Sequence, residues 1–503
     1  MCAVAANEIS LDDNVKQFIG KPRQMLIGGQ WVNSESGETL DVFNPATDEV
    51  IAKVQSANAA DVDKAVKAAR KAFETGPWGK MLPAERQRII WKIGELIEEH
   101  TEELAQLESL DQGKPISVAR VADVPLSAEM FRYMAGWATK LNGEQINPSI
   151  SLAPGTDFHC YTRREAVGVC GQIIPWNFPL LMAAWKLAPA LTCGNTIVLK
   201  IAEETPLSGL RLGELIQEAG VPDGVVNIIT GFGETAGAPL AAHPDVDKIA
   251  FTGSTEVGRL IVDAAKGNLK KVSLELGGKS PNIILDDADV ETAVAGAAMG
   301  IFFNGGQACT AGSRLFIQEG IYDQVVQALS DVAGKIKLGP GLAPDTQMGP
   351  MVSRIQLERV TGYLDSGKSQ GARAATGGGR VEGKGYFVQP TVLVDVKDDM
   401  RVYKEEIFGP VVAATPFKDV DDELIRRAND SPYGLAAGVF SQNISKAHKL
   451  AAKLRAGTVW INCYNMLDAS LPFGGYKQSG WGREMGAQVL EHYTETKTVT
   501  VAM

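Results

Sequence analysis

Metal-binding and disulfide patterns are scarce in this sequence. The 503 residues include five histidines and six cysteines, with no CxxC pair and no histidine separated from a cysteine by the spacing of metal ligands. We therefore expect no metal site, and the cysteine usage is typical of a reduced, cytoplasmic compartment. A chain of this length buries enough apolar surface to fold without disulfide or metal support.

Basic residues are also fewer than acidic ones. The chain has 49 Lys and Arg against 60 Asp and Glu, which gives a formal net charge of -11. Because this balance repels phosphate backbones and anionic lipid, we expect neither a nucleic-acid partner nor a membrane partner. The N-terminal MCAVAANEIS has no basic region and no long apolar run, so no secretory signal is predicted. The apolar stretch 167–199 contains three prolines and a lysine, which indicates a buried strand, loop and helix instead of a membrane span.

Apolar runs of strand length alternate with helical patterns through much of the chain. This alternation predicts an α/β fold with mostly parallel sheets and helices on both faces. A second alternating series, from about 289 to 475, predicts a second α/β unit. The C-terminal HYTETKTVTVAM reads as a strand without a local partner, so we expect it to pair with another subunit. The clearest strands of the first series are Thr196–Leu199, Val225–Ile229, Lys248–Phe251 and Pro281–Leu285.

Two motifs place polar groups where chains turn. In PWNFP (175–179), Asn177 lies among prolines and apolar side chains. It is either a donor in a site or a satisfied buried amide that caps the next helix. In FTGSTEVG (251–258), a strand ends in a short turn before a helix, where free amides can receive a pyrophosphate; a plain connection is the alternative.

Two further motifs carry titratable groups. In LELGGK (274–279), Glu275 lies between leucines, and an apolar setting raises the pKa of a carboxyl group toward that of a general base. The alternative is a partly exposed strand glutamate. In NGGQACT (304–310), Cys309 lies in a glycine-rich turn, accessible for attack, unlike Cys170 and Cys193 in apolar runs. The alternative is an inert buried cysteine.

The ordered motifs PWNFPL, FTGSTEVG, LELGGK, GQAC, EEIFGP and PFGGYKQSG together resemble the aldehyde dehydrogenase superfamily. The similarity runs from PATDEVIAKV (45–54) to PFGGYKQSGWGRE (472–484), and several segments look similar to bacterial phenylacetaldehyde dehydrogenases. The resemblance implies a Rossmann-like NAD-binding domain (1–143 and 167–277), an α/β catalytic domain (278–478) and a small β oligomerisation element (144–166 and 479–503). It also implies a homodimer or homotetramer.

The resemblance assigns the chemistry to three residues. Cys309 would be the nucleophile and Glu275 the general base, and the Asn177 amide and the Cys309 backbone amide would bind the oxyanion. Lys200 and Glu203 would bind the adenosine ribose of NAD, and Glu406 the nicotinamide ribose. The full set implied for the cofactor is Ile173, Pro175, Trp176, Lys200, Glu203, Gly233, Gly253, Ser254, Val257, Gly258, Leu276, Glu406 and Phe408. The set implied for the substrate tunnel is Phe178, Met182, Trp185, Phe303, Leu467 and Phe473.

Further expectations separate related reactions and cofactors. A glutamate at 275 favours hydrolysis over acyl transfer to coenzyme A, and a carboxylate at Glu203 would repel the 2′-phosphate of NADP. The apolar tunnel favours a hydrophobic aldehyde such as phenylacetaldehyde, although Asp468 lies nearby in sequence. The alternatives are an aminoaldehyde or other semialdehyde dehydrogenase and an inactive structural or binding relative. The family usually has proline where this chain has Ile201.

Overall fold

The computed structural model describes residues 9–503. Residues 1–8, which belong to the segment examined for a secretory signal and to the predicted range 1–143, lie outside the described part. Two large sheets dominate the fold. In the eight-stranded sheet the five central strands are parallel, and the strands lie in the order Gly480–Trp481, Lys271–Glu275, Lys248–Thr252, Val169–Ile173, Thr196–Lys200, Val226–Ile229, Met25–Ile27 and Gln30–Val32.

The second sheet has seven strands, of which six are parallel neighbours. Its order is Arg373–Thr376, Thr391–Val394, Val411–Phe417, Arg314–Gln318, Pro281–Ile284, Ala436–Phe440 and Thr458–Ile461. The four strands predicted from the apolar runs are thus present, with ends shifted by one residue at most, but Pro281–Ile284, predicted as part of the first series, belongs to the second sheet.

Helices cover both faces of each sheet. The alternation along single strands shows this directly, because Ile197 and Leu199 join one apolar core while Val198 joins another. In the second sheet Phe316 and Leu315 likewise belong to separate cores. Two-faced burial of this kind is typical of parallel sheets and confirms the α/β fold class.

The helices are of ordinary length for such a fold. Two of them contain π-helical turns, Ala119–Asp123 and Gly233–Gly237. The α-helical bounds are Asp13–Ile19, Ala59–Glu74, Pro83–Glu99, Thr101–Asp111, Ile116–Val118, Val124–Ala135, Pro179–Thr192, Leu207–Glu218, Ala238–Ala242, Thr255–Ala265, Val290–Phe302, Tyr322–Lys335, Arg354–Ser369, Arg401–Lys404, Asp422–Asn429, Ile444–Ala451 and Val489–His492. Within residues 9–503, none of these helices is both long and apolar enough to cross a membrane.

The C-terminal strand has no local partner, as predicted, but it pairs with a remote strand of its own chain, within the segment 144–166 that the resemblance joins to it. Thr494–Ala502 pairs antiparallel with Phe158–Ala166 along its whole length, and Gln145–Ile146 adds a third strand. The partner is remote in sequence, which is why local inspection does not find it. A separate two-stranded ribbon joins Thr39–Asn44 to Glu49–Gln55.

A segment near the C-terminus adds a further strand to the first sheet. Gly480–Trp481 pairs antiparallel with Lys271–Glu275, so the strand that carries Glu275 has late residues as its outer neighbour. The Leu276 amide donates to the Ser479 carbonyl at 2.9 Å, and the Trp481 indole donates to the Val272 carbonyl at 3.0 Å. Residues from both halves of the chain therefore meet at this edge.

Candidate active site

A cavity of about 710 Å³ brings the predicted catalytic residues together. Cys309, Glu275 and Asn177 all line it, although they lie far apart in sequence. Its walls come from the carboxyl ends of strands in the eight-stranded sheet and from segments of the second half of the chain. Crevices at the carboxyl ends of parallel strands are where α/β proteins bind ligands.

Strand register explains why the cofactor motifs converge. Ile173 lies opposite both Lys200 and Phe251, and Thr252 lies opposite Glu275, so these strand ends share one edge. Directly after this edge, Ser254 caps helix Thr255–Ala265, because its hydroxyl accepts from the Val257 amide at 3.2 Å. The remaining free amides of that helix end form a site with positive potential.

The turn that presents Cys309 is built on left-handed backbone. After helix Val290–Phe302, Asn304, Gly305 and Gly306 have φ of 50°, 62° and 70°. A Cβ on Gly306 would lie 2.1 Å from the Gly409 carbonyl oxygen, so only glycine fits there. This reversal of the chain brings Cys309 to the cavity wall.

Asn177 is tied to the cysteine loop. Its side-chain amide donates to the Gln307 carbonyl at 3.0 Å, and Asn304 donates to the Asn177 carbonyl at 3.0 Å. The helix that begins at Pro179 has no side-chain cap, so Asn177 does not cap it. A carboxamide has two N–H groups, and one of them is free of the Gln307 bond.

Glu275 is buried at the end of its strand, with 5% of its surface exposed, which excludes the partly exposed alternative. Within the described chain its Oε2 atom has no hydrogen-bond partner. Burial, and then the charge of Glu484, raise the pKa of Glu275 well above the ordinary carboxyl value, against the opposing effect of Lys186. Lys186 and Glu484 form a buried ion pair at 2.7 Å. A raised pKa makes this carboxyl group a stronger base than an ordinary glutamate, as a general base requires.

The pKa of the Cys309 thiol is also raised. Burial, with further contributions from Glu406 and Glu275, raises its pKa to about 12. Burial raises the pKa of Cys170 to about 12 as well, so acidity does not distinguish the two cysteines. The two cysteines differ in position, because Cys170 is fully buried in a central strand, whereas Cys309 is partly exposed at the cavity.

The predicted cofactor residues fall into two groups. Seven line the cavity: Pro175, Trp176, Gly253, Ser254, Leu276, Glu406 and Phe408. Six are not among its lining residues: Ile173, Lys200, Glu203, Gly233, Val257 and Gly258. All six lie at or just after the carboxyl ends of the parallel strands, where an extended ligand would continue outside the cavity.

The departure at Ile201 has a local explanation. Its backbone amide donates to the Ile229 carbonyl at 3.2 Å, and its side chain packs against Gly209. Proline could not make this bond because it has no N–H. Lys200 and Glu203 are nevertheless held together, with Nζ 2.5 Å from Oε2.

The predicted tunnel residues all line the cavity. Four of them form two aromatic pairs. The rings of Phe178 and Phe303 are stacked, with their centroids 5.9 Å apart, and the rings of Trp185 and Phe473 are tilted, with their centroids 5.1 Å apart. The other two are Met182 and Leu467.

Several lining residues were not found from the sequence. Gln356 donates to the Phe408 carbonyl at 2.7 Å and Arg359 donates to the Glu406 carbonyl at 2.7 Å, so both support the cofactor end. The π-helical turn Ala119–Asp123 forms another wall, and the proline two residues after it, Pro125, was a signal of irregular helix. The missed residues on or beside that turn are Val118, Val121, Ala122, Asp123 and Leu126.

The residues at the cofactor end fit the dinucleotide that the resemblance implies. The Gly278 amide donates to Glu406 Oε1 at 2.9 Å, which holds a carboxylate at the cavity wall as an acceptor for hydroxyl groups. A Cβ on Gly277 would lie 2.2 Å from Glu406 Oε2, so the carboxylate occupies the space that a side chain would fill. The rings of Trp176 and Phe408, which also line the cavity, pack edge to face with their centroids 5.2 Å apart.

We expect Gly277→Ala to displace the Glu406 carboxylate and raise the KM for NAD by about 10- to 100-fold, the worth of a charged hydrogen bond. Steady-state kinetics with varied NAD measure this. Gly334→Ala is the matched control, because a Cβ there meets nothing within 4 Å. An unchanged KM for NAD in Gly277→Ala would contradict the role of Glu406.

Comparison with known proteins agrees with the site. A profile of the aldehyde dehydrogenase family matches residues 31–499. The mitochondrial aldehyde dehydrogenase of Rattus norvegicus is 52% identical over 480 residues, covering 95% of this chain and 91% of its own. The mitochondrial benzaldehyde dehydrogenase of Antirrhinum majus is 50% identical over 481 residues, which cover 95% of this chain and 89% of the relative.

Solved structures give the same result. The NAD+ complex of an aldehyde dehydrogenase from Bacillus cereus superimposes with a TM-score of 0.96 at 54% identity, covering 99% of this chain and 100% of that one. The family and the enzyme class inferred from the ordered motifs are thereby confirmed. The chain belongs to the aldehyde dehydrogenase family.

Proposed function

We propose that this protein oxidises a hydrophobic aldehyde to its carboxylic acid with NAD, through a covalent intermediate on Cys309. The observation that carries the proposal is the meeting of Cys309, Asn177 and Glu275 on one cavity. The NAD+ complex of the Bacillus cereus relative supports the choice of cofactor.

The first half of the reaction uses the cysteine and the amide donors. The Cys309 thiol gives up its proton to solvent, and Sγ attacks the aldehyde carbon to form a thiohemiacetal, while the Asn177 amide and the Cys309 backbone amide bind the oxygen that becomes negative. When bound, NAD supplies a nicotinamide ring that accepts the hydride from this carbon. A thioester on Cys309 remains.

The second half requires a base. Glu275 withdraws a proton from a water molecule that attacks the thioester carbonyl, and the same amide donors bind the second oxyanion. The C–S bond breaks, the proton held by Glu275 passes to the departing sulfur, the acid leaves, and Cys309 returns as a thiol. Because the product acyl group goes to water, coenzyme A is not needed.

The walls of the cavity support a hydrophobic or aromatic substrate such as phenylacetaldehyde. Asp123 also lines the cavity, but its carboxylate accepts from Lys114, which lies 3.2 Å from Glu108 as well. Asp468 is not among the lining residues and accepts from the Ser470 amide. Asp123 is thus paired with a lysine and Asp468 lies off the cavity, so neither of these two carboxyl groups is placed to receive the ammonium group of an aminoaldehyde.

The test is NADH formation by the purified protein without coenzyme A, with phenylacetaldehyde, benzaldehyde, decanal and 4-aminobutyraldehyde. Preference for the hydrophobic aldehydes supports the proposal. Preference for 4-aminobutyraldehyde would favour an aminoaldehyde dehydrogenase, and no NADH from any aldehyde would favour the inactive relative.

We expect NAD to be preferred over NADP. The Glu203 carboxylate, held at 2.5 Å from Lys200, would accept the ribose hydroxyls of NAD and repel a 2′-phosphate. The ratio of kcat/KM for the two cofactors measures the preference, which Glu203→Gln should reduce. A higher kcat/KM with NADP would contradict it.

The organisation that we propose follows the resemblance. The eight-stranded sheet would bind NAD (1–143 and 167–277), the seven-stranded sheet would carry the nucleophile (278–478), and the three-stranded sheet would join subunits of a homodimer or homotetramer (144–166 and 479–503) in the cytoplasm. Light scattering of the purified protein measures the number of subunits.

A further inference from the structure

A second, much smaller cavity lies at the amino ends of neighbouring parallel strands in the seven-stranded sheet. Pro281, Arg314 and Ala436, the first residues of three of these strands, line it, together with residues 454–456 before the fourth. It shares no lining residue with the cavity that holds Cys309. Its volume of about 10 Å³ gives room for one occupant of about the size of a water molecule.

The charged side chains that line this small cavity are all basic. They are Lys279, Arg314, Arg455 and Lys477, and no aspartate or glutamate is among the lining residues of the described chain. Arg455 and Arg314 lower the pKa of Lys477, after the larger effect of burial, because like charges oppose its protonation. The lining therefore has a positive potential.

The acids that act on this group of cations are paired with other residues. Asp398 and Asp430 are the carboxylates that act on the charge of Arg314. Asp398 forms an ion pair with Arg427 at 2.8 Å, and Asp430 lies 3.8 Å from Arg426. Neither of these carboxylates lines the cavity, so the positive charge inside it is not cancelled there.

Backbone carbonyls fix two of the four cations. Arg314 donates to three carbonyl groups at 2.7 to 3.0 Å, and Lys477 Nζ donates to two at 2.6 and 3.0 Å. Neutral carbonyls hold these side chains in place without removing their charge. A guanidinium group has five N–H groups, so Arg314 retains two that these three bonds do not use.

Lys279 is the member of the group that lacks a partner. Only 1% of its surface is exposed, and within residues 9–503 its Nζ atom has no hydrogen-bond partner. Burial, and then the charge of Arg314, lower the pKa of Lys279 to about 7, against the opposing effects of Glu406 and Glu405. A buried ammonium group without a partner is costly, and an anion beside it removes that cost.

We propose that this cavity binds one monatomic anion, chloride or another halide, which accepts hydrogen bonds from Lys279 Nζ and from the free N–H groups of Arg314. The lining is positive, and a cation is therefore excluded. The volume admits one atom of about this size but not the four oxygens of sulfate or phosphate. The site is separate from the proposed oxidation of aldehydes and does not depend on it.

The first test locates the ion directly. Crystals of the full-length protein grown in sodium bromide are measured at the absorption edge of bromine, where bromide gives anomalous scattering. We expect an anomalous peak in the cavity at hydrogen-bond distance from Lys279 Nζ. Absence of this peak would overturn the inference, and the measurement uses only the wild-type protein.

The second test asks whether the ion binds in solution. The melting temperature is measured at pH 7 in sodium chloride and in sodium gluconate of equal ionic strength, because gluconate is too large for the cavity. The wild type should gain about 1 °C for each tenfold rise in chloride above its dissociation constant, relative to gluconate. Lys279→Met, which keeps the length of the side chain and removes the buried charge, should lose this gain.

Lys270→Met is the matched control, because Lys270 is also buried but its Nζ donates to two backbone carbonyls at 2.7 Å and does not line the cavity. This variant should keep the gain in chloride. An equal response to chloride in the wild type and in Lys279→Met would overturn the inference. A bromide peak without a specific response to chloride in the wild type would also overturn it, since it would show binding at crystal concentration only.

Discussion

Replacing Cys309 with alanine is expected to abolish NADH formation, including the first turnover, with a loss of at least about 10⁴-fold in kcat. Cys309 is the partly exposed cysteine on the cavity that also holds Asn177 and Glu275. Without its sulfur no thiohemiacetal forms, and the carbonyl has no covalent partner from which hydride could leave. Rapid mixing with NAD and aldehyde measures the first turnover directly.

The control for this experiment is Cys463→Ala, which removes a second partly exposed cysteine that does not line the cavity. Its activity should stay close to that of the wild type. NAD binding should be retained in Cys309→Ala, since the cofactor residues are unchanged. A stoichiometric burst of NADH from Cys309→Ala would show that another group is the nucleophile.

Glu275→Gln is expected to separate the two halves of the reaction. The variant should still release about one equivalent of NADH, because hydride leaves before water is needed, but steady-state turnover should fall by about 10²- to 10⁴-fold. Glutamine matches the volume of the buried carboxyl group and cannot accept the proton of the attacking water. The acyl-enzyme should accumulate, and mass spectrometry of the quenched protein should detect it.

The pH dependence provides an independent readout. Burial and Glu484 raise the pKa of Glu275, so the carboxylate that the second step needs becomes populated only as the pH rises through that value. Wild-type deacylation should therefore increase with pH, and residual deacylation in Glu275→Gln should not show this rise. Glu291→Gln, which changes an exposed residue on the first turn of helix Val290–Phe302, serves as the control. Unchanged steady-state turnover in Glu275→Gln would remove Glu275 from the mechanism.

Much of the site was predictable because its residues lie beside local signals. Glycines and prolines mark the turns around Asn177, Ser254 and Cys309, and the leucines around Glu275 indicate burial. These local features produce the strand ends and the left-handed turn that the structure shows. Parallel strands then bring distant turns to one edge, which the alternation of strands and helices predicts.

The remainder depends on contacts that only the tertiary structure creates. Gln356 and Arg359 lie on an ordinary amphipathic helix, and nothing near them in sequence indicates that they donate to the carbonyls of Phe408 and Glu406. The partner of the C-terminal strand is equally remote, since Thr494 lies opposite Ala166. Sequence periodicity reports which face is buried, but not which distant segment covers it.

The late return of the chain to the first sheet has a consequence for biosynthesis. Strand Lys271–Glu275 obtains its outer neighbour only from Gly480–Trp481. On the ribosome this strand therefore remains an open edge until almost the whole protein has been made, and open edges recruit other strands. A product of incomplete translation that ends before Gly480 contains Cys309, Asn177 and Glu275 but lacks the residues that close the sheet beside the base. Such fragments should aggregate, because the open edge beside Glu275 is not covered.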